Sequence, residues 1–477
     1  MSHSTTPIIE HLKQHRYKEA ELAAKDQIRA NPLIAQNWVF LGEALMHQGY
    51  GSAAKIVFQR AWLLDPEATW VDPVWEALDS IPEGDERVDI EGLLHVRKAT
   101  ITAGIISYNM ENTIERCLDS LEGAVDQIVL IDCSTDRTKE LASRYSNVTI
   151  VPYAWEDDFA AARNAGLPHM STDWVFWIDA DEYLVKEDIA AVREAIGVFH
   201  DTQQPAILCL WQINIIQGTA KHNFAQARLF PLRRGLRYWG RVHEQVGTKS
   251  GVYHDDVLRH KVKIRVLHDG YEPEVMESKQ KIERNLKLLR MMIQSEPDNP
   301  AWWFYLGREL LGTGDEQQAL HALNEAELLA KVHPHFGRLL DIYKYMMGIY
   351  FRGNDWGQTE AVCKKALAYQ ADFPDAHYML AQVRMRLADQ LYHEARVGLK
   401  KSIESFHTYR NIVSPDHEIA EWKADLAMAE LAERAGKPSV ARSMYMNLIK
   451  SYPKHAKKVT KRLTAIEAER LRLNQIP

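Results

Sequence analysis

The stretch Asp173–Glu182, DWVFWIDADE, decides the fold of the chain around it. A run of apolar and aromatic residues ends in three carboxylates, those of Asp179, Asp181 and Glu182. Carboxylates at the end of a buried strand are costly unless a positive charge lies among them. The stretch therefore predicts a buried strand that leads into a cation site, and a divalent metal that carries a phosphorylated ligand is the candidate.

The D-x-D spacing of Asp179 and Asp181 adds to this prediction, because at a strand end it turns both side chains to one side of the chain. One carboxylate can then hold a metal, and the other a ribose or the metal's water. Mg²⁺ and Mn²⁺ favour such oxygen ligands and usually share them with phosphate oxygens. An isolated D-x-D is more often a solvated acidic loop, but its position after WVFWI favours the metal site.

Predicted strands and helices alternate on both sides of this stretch. The predicted strands are ITAGIIS (101–107), QIVLID (127–132), Asn147–Tyr153 and WVFWID (174–179). The predicted helices are Asn112–Leu121, Asp136–Tyr145, Phe159–Leu167 and Lys186–Phe199. Such alternation predicts βαβ units and a parallel sheet, in which ligands bind beyond the carboxyl ends of the strands. The polar motifs SYN, DCSTD and DADE all occur at those ends.

The next segment, residues 206–272, is less regular. ILCLWQINII (207–216) and KVKIRVLHDGY (261–271) are predicted strands. Between them, QARLFPLRRGLRYWGRVHEQV (226–246) is rich in arginine, aromatic residues and histidine, and its pattern assigns no element.

Helical repeats are predicted at both ends of the chain. One tetratricopeptide repeat is predicted by the spacing of Trp38, Leu41, Gly42, Leu45, Ala54, Phe58, Ala61 and Pro66. A second is predicted because Ala20, Ala24 and Pro32 lie 34 residues before Ala54, Phe58 and Pro66. The pattern returns at Trp303, Leu306, Gly307, Leu310, Ala319, Leu323 and Ala326, and again at Ala441, Tyr445, Leu448 and Pro453. About four C-terminal repeats are expected, ending in a polar capping helix at Val459–Leu473.

Three domains follow from these patterns. Residues 1–97 hold the N-terminal repeat helices and a connector with one more helix, residues 98–275 the α/β domain, and residues 276–477 the C-terminal repeats. The repeats offer surfaces for protein partners and for a homo-oligomer.

Composition limits the functional classes. The 477 residues carry a net charge of −7, which argues against broad nucleic-acid binding. The four cysteines form no CxxC pair, the N-terminus has no apolar signal core, and no apolar run is long enough to span a membrane. A cytoplasmic protein with reduced thiols is expected.

Four segments together resemble the inverting glycosyltransferases of family 2, which have the GT-A fold. They are ITAGIISYNMENTIERCLDSL, DQIVLIDCSTDRTKELA, DDFAAARNAGL and DWVFWIDADEYL, and the resemblance covers residues 98–275. RLFPLRRGLRYWGRVHEQV and VLHDGY resemble the subgroup that is joined to tetratricopeptide repeats. The resemblance implies a Rossmann-like α/β GT-A catalytic domain flanked by all-α repeat segments.

The resemblance also implies roles for individual residues. Nucleotide-sugar contacts are expected from Ser107, Tyr108, Asn109, Glu111, Asp132, Arg163, Asn164, Asp179, Arg228 and Arg241. The ligands expected for Mn²⁺ or Mg²⁺ are Asp179, Asp181 and His268. Glu244 and His243 are the expected catalytic residues. An inverting transfer needs a carboxylate base, for which Glu244 is the candidate and Asp255 and Asp256 are rivals.

The expected function is metal-dependent transfer of a hexose or N-acetylhexosamine from a nucleotide sugar, with UDP as the expected nucleotide, to a peptide or protein. Transfer to a surface polysaccharide or lipid-linked glycan is the alternative. The alternative from another functional class is a non-catalytic repeat scaffold with a degenerate transferase domain. The intact Asp179–Asp181 pair argues against this hypothesis.

Overall fold

In the computed structural model, the described residues are 6–216, 218–252, 254–268, 275–406, 408–409 and 413–473. They form two compact units, Met1–Gly337 and Arg338–Pro477. Asp269–Tyr271, which follow the predicted ligand His268, lie outside the described residues. The three predicted domain boundaries stay a prediction.

Helices form the first part of the first unit. They are α1 (Thr6–Lys13), α2 (Tyr17–Ala30), α3 (Ala35–His47), α4 (Gly51–Leu64), α5 (Val71–Leu78) and α6 (Val88–Leu94). The predicted repeat residues Trp38, Leu41 and Phe58 are buried where α3 packs on α4. The connector after residue 66 contains two helices, so the expectation of one was wrong: α6 is too short to show a helical period in the sequence.

The α/β part follows. Its strands are β1 (Ile101–Ser107), β2 (Gln127–Asp132), β3 (Val148–Pro152), β4 (Trp174–Trp177), β5 (Tyr183–Leu184), β6 (Ala206–Ile216), β7 (Thr219–Pro231), β8 (Arg237–Trp239), β9 (Gln245–Gly247) and β10 (Leu258–His268). Its helices are α7 (Ile114–Ser120), α8 (Thr138–Ala142), α9 (Phe159–Gly166) and α10 (Ile189–Phe199). The four predicted strands and four predicted helices before residue 200 are confirmed.

Within the described residues, eight strands form one mixed sheet in the order β3-β2-β1-β4-β7-β6-β10-β5, and β8 pairs with β9 separately. Strands β3, β2, β1 and β4 are parallel, as predicted. Strand β7 then runs antiparallel to both β4 and β6, and β5 runs antiparallel to β10. The carboxyl ends of β1, β2 and β4 therefore lie at one edge of the sheet.

Both faces of β4 are buried, which explains its continuous apolar sequence. Trp174 and Phe176 belong to one hydrophobic core, and Val175 and Trp177 belong to the other. Because side chains alternate across a strand, WVFW fills both layers at once and its aromatic bulk anchors the sheet. The acidic residues that follow are thereby fixed to a rigid element.

Three more helices complete the first unit: α11 (Val275–Ser295), α12 (Pro300–Gly312) and α13 (Glu316–Ala330). Helix α12 packs on both α11 and α13. A Cβ added at Gly307 of α12 would lie 2.8 Å from Leu323 of α13, so only glycine allows this approach, as the repeat pattern predicted.

The second unit is helical. Its helices are α14 (Leu339–Arg352), α15 (Trp356–Tyr369), α16 (Pro374–Ser405), α17 (Ala424–Arg434), α18 (Pro438–Ser451) and α19 (Ala456–Leu473), with a short π-helix at Ile419–Lys423. The predicted core residues Ala441, Tyr445 and Leu448 are buried, and α19 matches the predicted capping helix. Among the residues described, no helix has both the length and the apolar character needed to cross a membrane.

Candidate active site

Ser107 and Asp132 face each other at the ends of β1 and β2, where the parallel register pairs them. The Ser107 hydroxyl donates to Asp132 Oδ1 at 2.8 Å, and the backbone N–H of Ser134 donates to the same oxygen at 3.2 Å. Asp132 Oδ2 accepts no hydrogen bond from the described residues. A buried carboxylate is thus held in place with one oxygen left to accept from a ligand.

The loops after β1 and β2 are joined by side chains of the predicted site. Asn109 has a left-handed backbone (φ 55°), and its Oδ1 accepts from the Thr135 backbone N–H at 2.9 Å. Glu111 accepts from the backbone N–H and Nε of Arg137, both at 3.2 Å. Tyr108 is 63% exposed. The two loops are therefore fixed to each other, while the tyrosine ring has a face open for stacking.

Two arginines converge on Asp179, directly after β4. Arg228 of β7 donates from Nη1 to Oδ1 at 2.8 Å and from Nη2 to Oδ2 at 2.5 Å. Arg163 of α9 donates from Nη2 to Oδ1 at 2.9 Å. Burial opposes the charged form of Asp179, but the two guanidiniums outweigh it and hold the pKa of that carboxyl well below its usual range.

Arg163 is 5% exposed, and its guanidinium lies over two neighbouring aromatic rings, 5.0 Å from the Trp177 centroid and 5.2 Å from that of Tyr238. Its Nη1 has no hydrogen-bond partner in the part of the chain that the structure describes. The π faces of the two rings compensate, since a cation over an aromatic face is attracted by it. The Arg163 guanidinium is thus held by the Asp179 carboxylate and by the Trp177 and Tyr238 rings.

Glu182 closes the turn that carries the D-x-D pair. Its carboxylate accepts from the Asp179 backbone N–H at 3.0 Å and from Gln212 Nε2 at 2.5 Å. Burial raises the pKa of Glu182 above its usual value. Its contacts orient the turn, in which the Asp181 side chain stays 38% exposed to solvent.

Asp181 meets His268 because β5, which directly follows the D-x-D turn, pairs with the end of β10. Asp181 Oδ2 lies 3.3 Å from His268 Nε2. His268 Nδ1 lies 3.0 Å from Asn214 Oδ1 on β6. The hydrogen bond with Asp181 raises the pKa of His268, against the effect of its burial. The structure therefore brings together two of the three predicted metal ligands.

The residues at this turn fit a shared divalent cation better than a metal held by protein alone. Among the described residues, no three His, Cys, Asp or Glu side chains are grouped to hold one. Asp181 and His268 offer one oxygen and one nitrogen, and Asp179 Oδ2, with one donor, keeps a lone pair. Mg²⁺ takes one or two carboxylates and completes its shell with substrate phosphates and water, and Mn²⁺ tolerates the same oxygen ligands.

The predicted base Glu244 lies on the loop between β8 and β9 and points toward the same arginine. Its Oε1 accepts from Arg163 Nε at 2.7 Å, and its side chain is 14% exposed. Arg163 thus connects Glu244 with Asp179. The rival bases are engaged elsewhere: Asp256 accepts from the Thr248 hydroxyl at 2.5 Å, and Asp255 is 88% exposed beside His335.

His243 turns away from Glu244. Its Nε2 lies 2.9 Å from Glu309 Oε1, and Arg308 Nη2 is within 3.0 Å of both ring nitrogens. Burial lowers the pKa of His243, although the Glu309 hydrogen bond opposes this. In the same cluster the pKa of Glu309 falls to about 2, because hydrogen bonds to its charged form, chiefly from His243, outweigh its burial.

Two further predicted nucleotide contacts serve the scaffold in this structure. Both polar atoms of the Asn164 side chain bond to the Tyr238 backbone at 2.9 Å, which joins α9 to β8. Arg241 Nη1 donates to the Asp157 carbonyl at 3.3 Å and lies 3.8 Å from Asp158. Whether either also contacts a nucleotide stays a prediction.

The sequence reasoning missed several partners of the site. Glu309 and Arg308 were not singled out, because they lie in a helix whose repeat pattern predicts packing alone. Arg284 of α11 was also missed; it lies over the Phe159 ring at 5.1 Å, and burial lowers its pKa. Gln212 was missed because β6 was predicted only as a strand. One signal was available for three of them: Gln212, Arg308 and Glu309 interrupt apolar sequence.

A mixed sheet with β3-β2-β1-β4 parallel, and an acidic turn at the carboxyl end of β4, defines a GT-A-like α/β domain joined to helical repeats. Comparison with known families agrees. Residues 102–241 match the family described as Glycosyl transferase family 2, and residues 8–66 match the tetratricopeptide repeat. The chain therefore carries a family 2 glycosyltransferase domain and tetratricopeptide repeats.

Among curated relatives, the chain is similar to the SPbeta prophage-derived glycosyltransferase SunS of Bacillus subtilis, with 32% identity over 232 residues. That match covers 48% of this chain and 53% of SunS, so the chain spans about half the length of that relative. The lipopolysaccharide core biosynthesis glycosyltransferase LpsC of Rhizobium meliloti is 30% identical over 113 residues, 21% of this chain and 42% of LpsC.

Among solved structures, S. aureus TarS 1-349 in complex with UDP-GlcNAc is similar over 58% of this chain and 93% of that one. The identity is 13% and the TM-score is 0.31.

Proposed function

We propose that this protein is an inverting glycosyltransferase that moves a hexose or N-acetylhexosamine from a UDP-linked donor to a peptide or protein. The observation that carries the proposal lies within the family 2 match: the held carboxylate of Asp132 and the acidic turn at Asp179 share one edge of the sheet. In parallel sheets this edge is where nucleotides bind.

The nucleoside is assigned to the loops after β1 and β2. A uracil ring has an imide N–H, and Asp132 Oδ2 is the acceptor that it would meet. Tyr108, with its exposed ring, would stack on the base. Asn109 and Glu111 would act by fixing the two loops to each other.

The diphosphate is assigned to the turn after β4. Asp181 and His268 would hold a Mn²⁺ or Mg²⁺ ion, with Asp179 Oδ2 as a third donor. Bound there, such an ion would stabilise the negative charge of the leaving diphosphate. When His268 Nδ1 carries the proton and donates to Asn214 Oδ1, Nε2 presents its lone pair toward this position.

Glu244 is assigned as the base. It would take the proton from the acceptor while the acceptor atom bonds to the anomeric carbon, and the bond from that carbon to the diphosphate oxygen breaks with its electron pair leaving on the diphosphate. A single displacement of this kind inverts the anomeric configuration. Arg163, hydrogen-bonded to both Glu244 and Asp179, fixes the base relative to the donor turn.

The acceptor is assigned from the helical repeats, since stacked helix pairs make extended surfaces that suit polypeptides. A surface glycan is the second candidate, and the similarity to LpsC, whose name places it in lipopolysaccharide core biosynthesis, is the observation that favours it.

The test is incubation of the full chain with UDP-glucose or UDP-N-acetylglucosamine and Mn²⁺, with peptide and glycan acceptors in separate reactions. Released UDP and the mass of the acceptor are both measured. A hexose or N-acetylhexosamine mass added to a peptide would support the proposal. An addition to glycans alone would move the acceptor to the second candidate. No UDP release and no metal-dependent UDP binding would favour the repeat scaffold.

A further inference from the structure

We infer that helix α12 holds the loop that carries Glu244, and that Glu309 on this helix is a positioning residue that acts on this loop through His243. The inference rests on the proposed function only in naming Glu244 as the base. The contacts between the helix and the loop are independent of that assignment.

One face of α12 contacts the loop at three points. Trp302, Tyr305 and Glu309 are spaced i, i+3 and i+7, which places them on one side of a helix. The Trp302 ring is so close to Gly240 that an added Cβ would lie 2.7 Å from it. Gly240 has a φ of 95°, so both the space and the backbone require glycine.

The other two contacts hold the residues on either side of Glu244. The His243 ring lies 4.7 Å from the Tyr305 ring, and its Nε2 is 2.9 Å from Glu309 Oε1. Gln245 donates from Nε2 to the Tyr305 hydroxyl. The side chains of residues 243 and 245 thus point to α12, whereas Glu244 points the other way, to Arg163.

The backbone of the loop also needs support. His243 has a φ of 54°, in the left-handed region that a side chain with a Cβ rarely occupies. Such a conformation persists only where surrounding contacts determine it. Those contacts come from Glu309, Arg308 and Tyr305, all on α12.

Glu309 is itself held in place, as a positioning residue must be. Asn285 of α11 donates from Nδ2 to Glu309 Oε2 at 3.3 Å, and Arg308 Nη2 lies 3.4 Å from Oε1. The Glu309 side chain is 12% exposed. Residues of two helices, α11 and α12, therefore hold the carboxylate that contacts His243.

The test compares Glu309→Ala, Glu309→Gln and, as a matched control, Glu283→Gln, which removes the same charge from an exposed position on α11. Glu309→Ala should lower kcat for transfer by about 10- to 100-fold, as a displaced catalytic group does, with the KM for the donor unchanged. Glu309→Gln keeps an oxygen that accepts from His243 and should recover part of the loss. Glu283→Gln should match the wild type.

Hydrogen exchange provides a readout that does not need activity. Glu309→Ala should speed amide exchange in residues 240–247 and leave β1 and β4 unchanged. Unchanged exchange in that loop, or a donor KM that rises in step with the fall in kcat, would overturn the inference. A wild-type chain without transferase activity would remove the proposed function, and the exchange result would still decide whether Glu309 holds the loop.

Discussion

Arg228 holds Asp179 by two parallel hydrogen bonds, Nη1 to Oδ1 at 2.8 Å and Nη2 to Oδ2 at 2.5 Å. The contact joins the antiparallel β7 to the turn after the parallel β4. A planar guanidinium is the one side chain that makes this fork, so lysine cannot replace it without loss. The first residue of the D-x-D pair is therefore oriented by a strand that follows it by 49 positions.

Replacing Arg228 should therefore destabilise the turn. Arg228→Ala leaves Asp179 with Arg163 alone and opens space beside Glu182. Removing one partner of a fully buried pair costs about 3–5 kcal/mol, but Asp179 keeps 39% of its side chain exposed, so we expect about 1–3 kcal/mol. The loss in the free energy of unfolding for Arg228→Lys should lie between zero and the loss for Arg228→Ala. Urea unfolding followed by circular dichroism measures it, and unchanged midpoints for both variants would contradict the role of the fork.

The repeat core offers a prediction that is independent of any activity. A Cβ added at Gly42 of α3 would lie 2.7 Å from the Phe58 ring, whereas one added at Gly92 of α6 meets nothing within 4 Å. Gly42→Ala should destabilise the chain by about 1–3 kcal/mol through overpacking. Gly92→Ala should stabilise it by about 0.5–1 kcal/mol, because alanine loses less backbone entropy. Thermal unfolding of the pair tests the packing, and equal shifts would contradict it.

The sequence was sufficient for the parallel half of the sheet. Strands β1, β2 and β4 are short apolar runs that end at polar motifs. The apolar pattern and the polar residues that end it therefore predict the same strand boundaries. Strand β7 was not assigned for a physical reason. It pairs with β6 through two register shifts, and its first half is exposed, so no clean alternation marks it.

The candidate site, like the sheet, has residues that the sequence predicted and residues that only the structure shows. Asp179 and Asp181 were visible because their spacing is local, and His268 was suggested by its position after a strand. The partners that orient residues of the site are distant in sequence: Arg228 lies 49 positions from Asp179, and Glu309 lies 66 positions from His243. No periodicity reports a contact over such a separation; the pairing of β7 with β4 brings the first pair together, and the packing of α12 against the loop brings the second.

Buried His243 should make stability depend on pH. Its pKa is lowered by burial, so the folded chain holds it neutral where the unfolded chain, with a pKa near 6.5, protonates it. At this group the unfolded state then binds more protons, so the contribution of His243 to the free energy of unfolding should fall as pH drops below about 6.5. Urea unfolding at pH 7.5 and 5.5 measures the fall. His243→Gln should flatten it, and an equal fall in that variant would assign the effect to other groups.

Removing a proposed metal ligand should separate nucleotide binding from folding. Asp181→Asn keeps the shape of a side chain that is 38% exposed, so the unfolding midpoint should not move. UDP binding in the presence of Mn²⁺, measured by calorimetry, should weaken at least about tenfold and equal the value of the wild type in EDTA. Asp255→Asn, at an 88% exposed carboxylate, is the control. Wild-type affinity in Asp181→Asn would exclude Asp181 as a ligand.

Glu244→Gln isolates the proton-transfer step. Glutamine keeps an oxygen that accepts from Arg163 Nε, so the contact at 2.7 Å and the link to Asp179 should survive. Because the amide cannot take a proton, kcat should fall by about 100- to 10,000-fold while UDP affinity stays within about twofold. Single-turnover assays and calorimetry on the same preparation measure both. Asp255→Asn and Asp256→Asn should keep activity; if either matches the loss instead, that residue is the base, and if UDP affinity collapses in Glu244→Gln, Glu244 holds the donor.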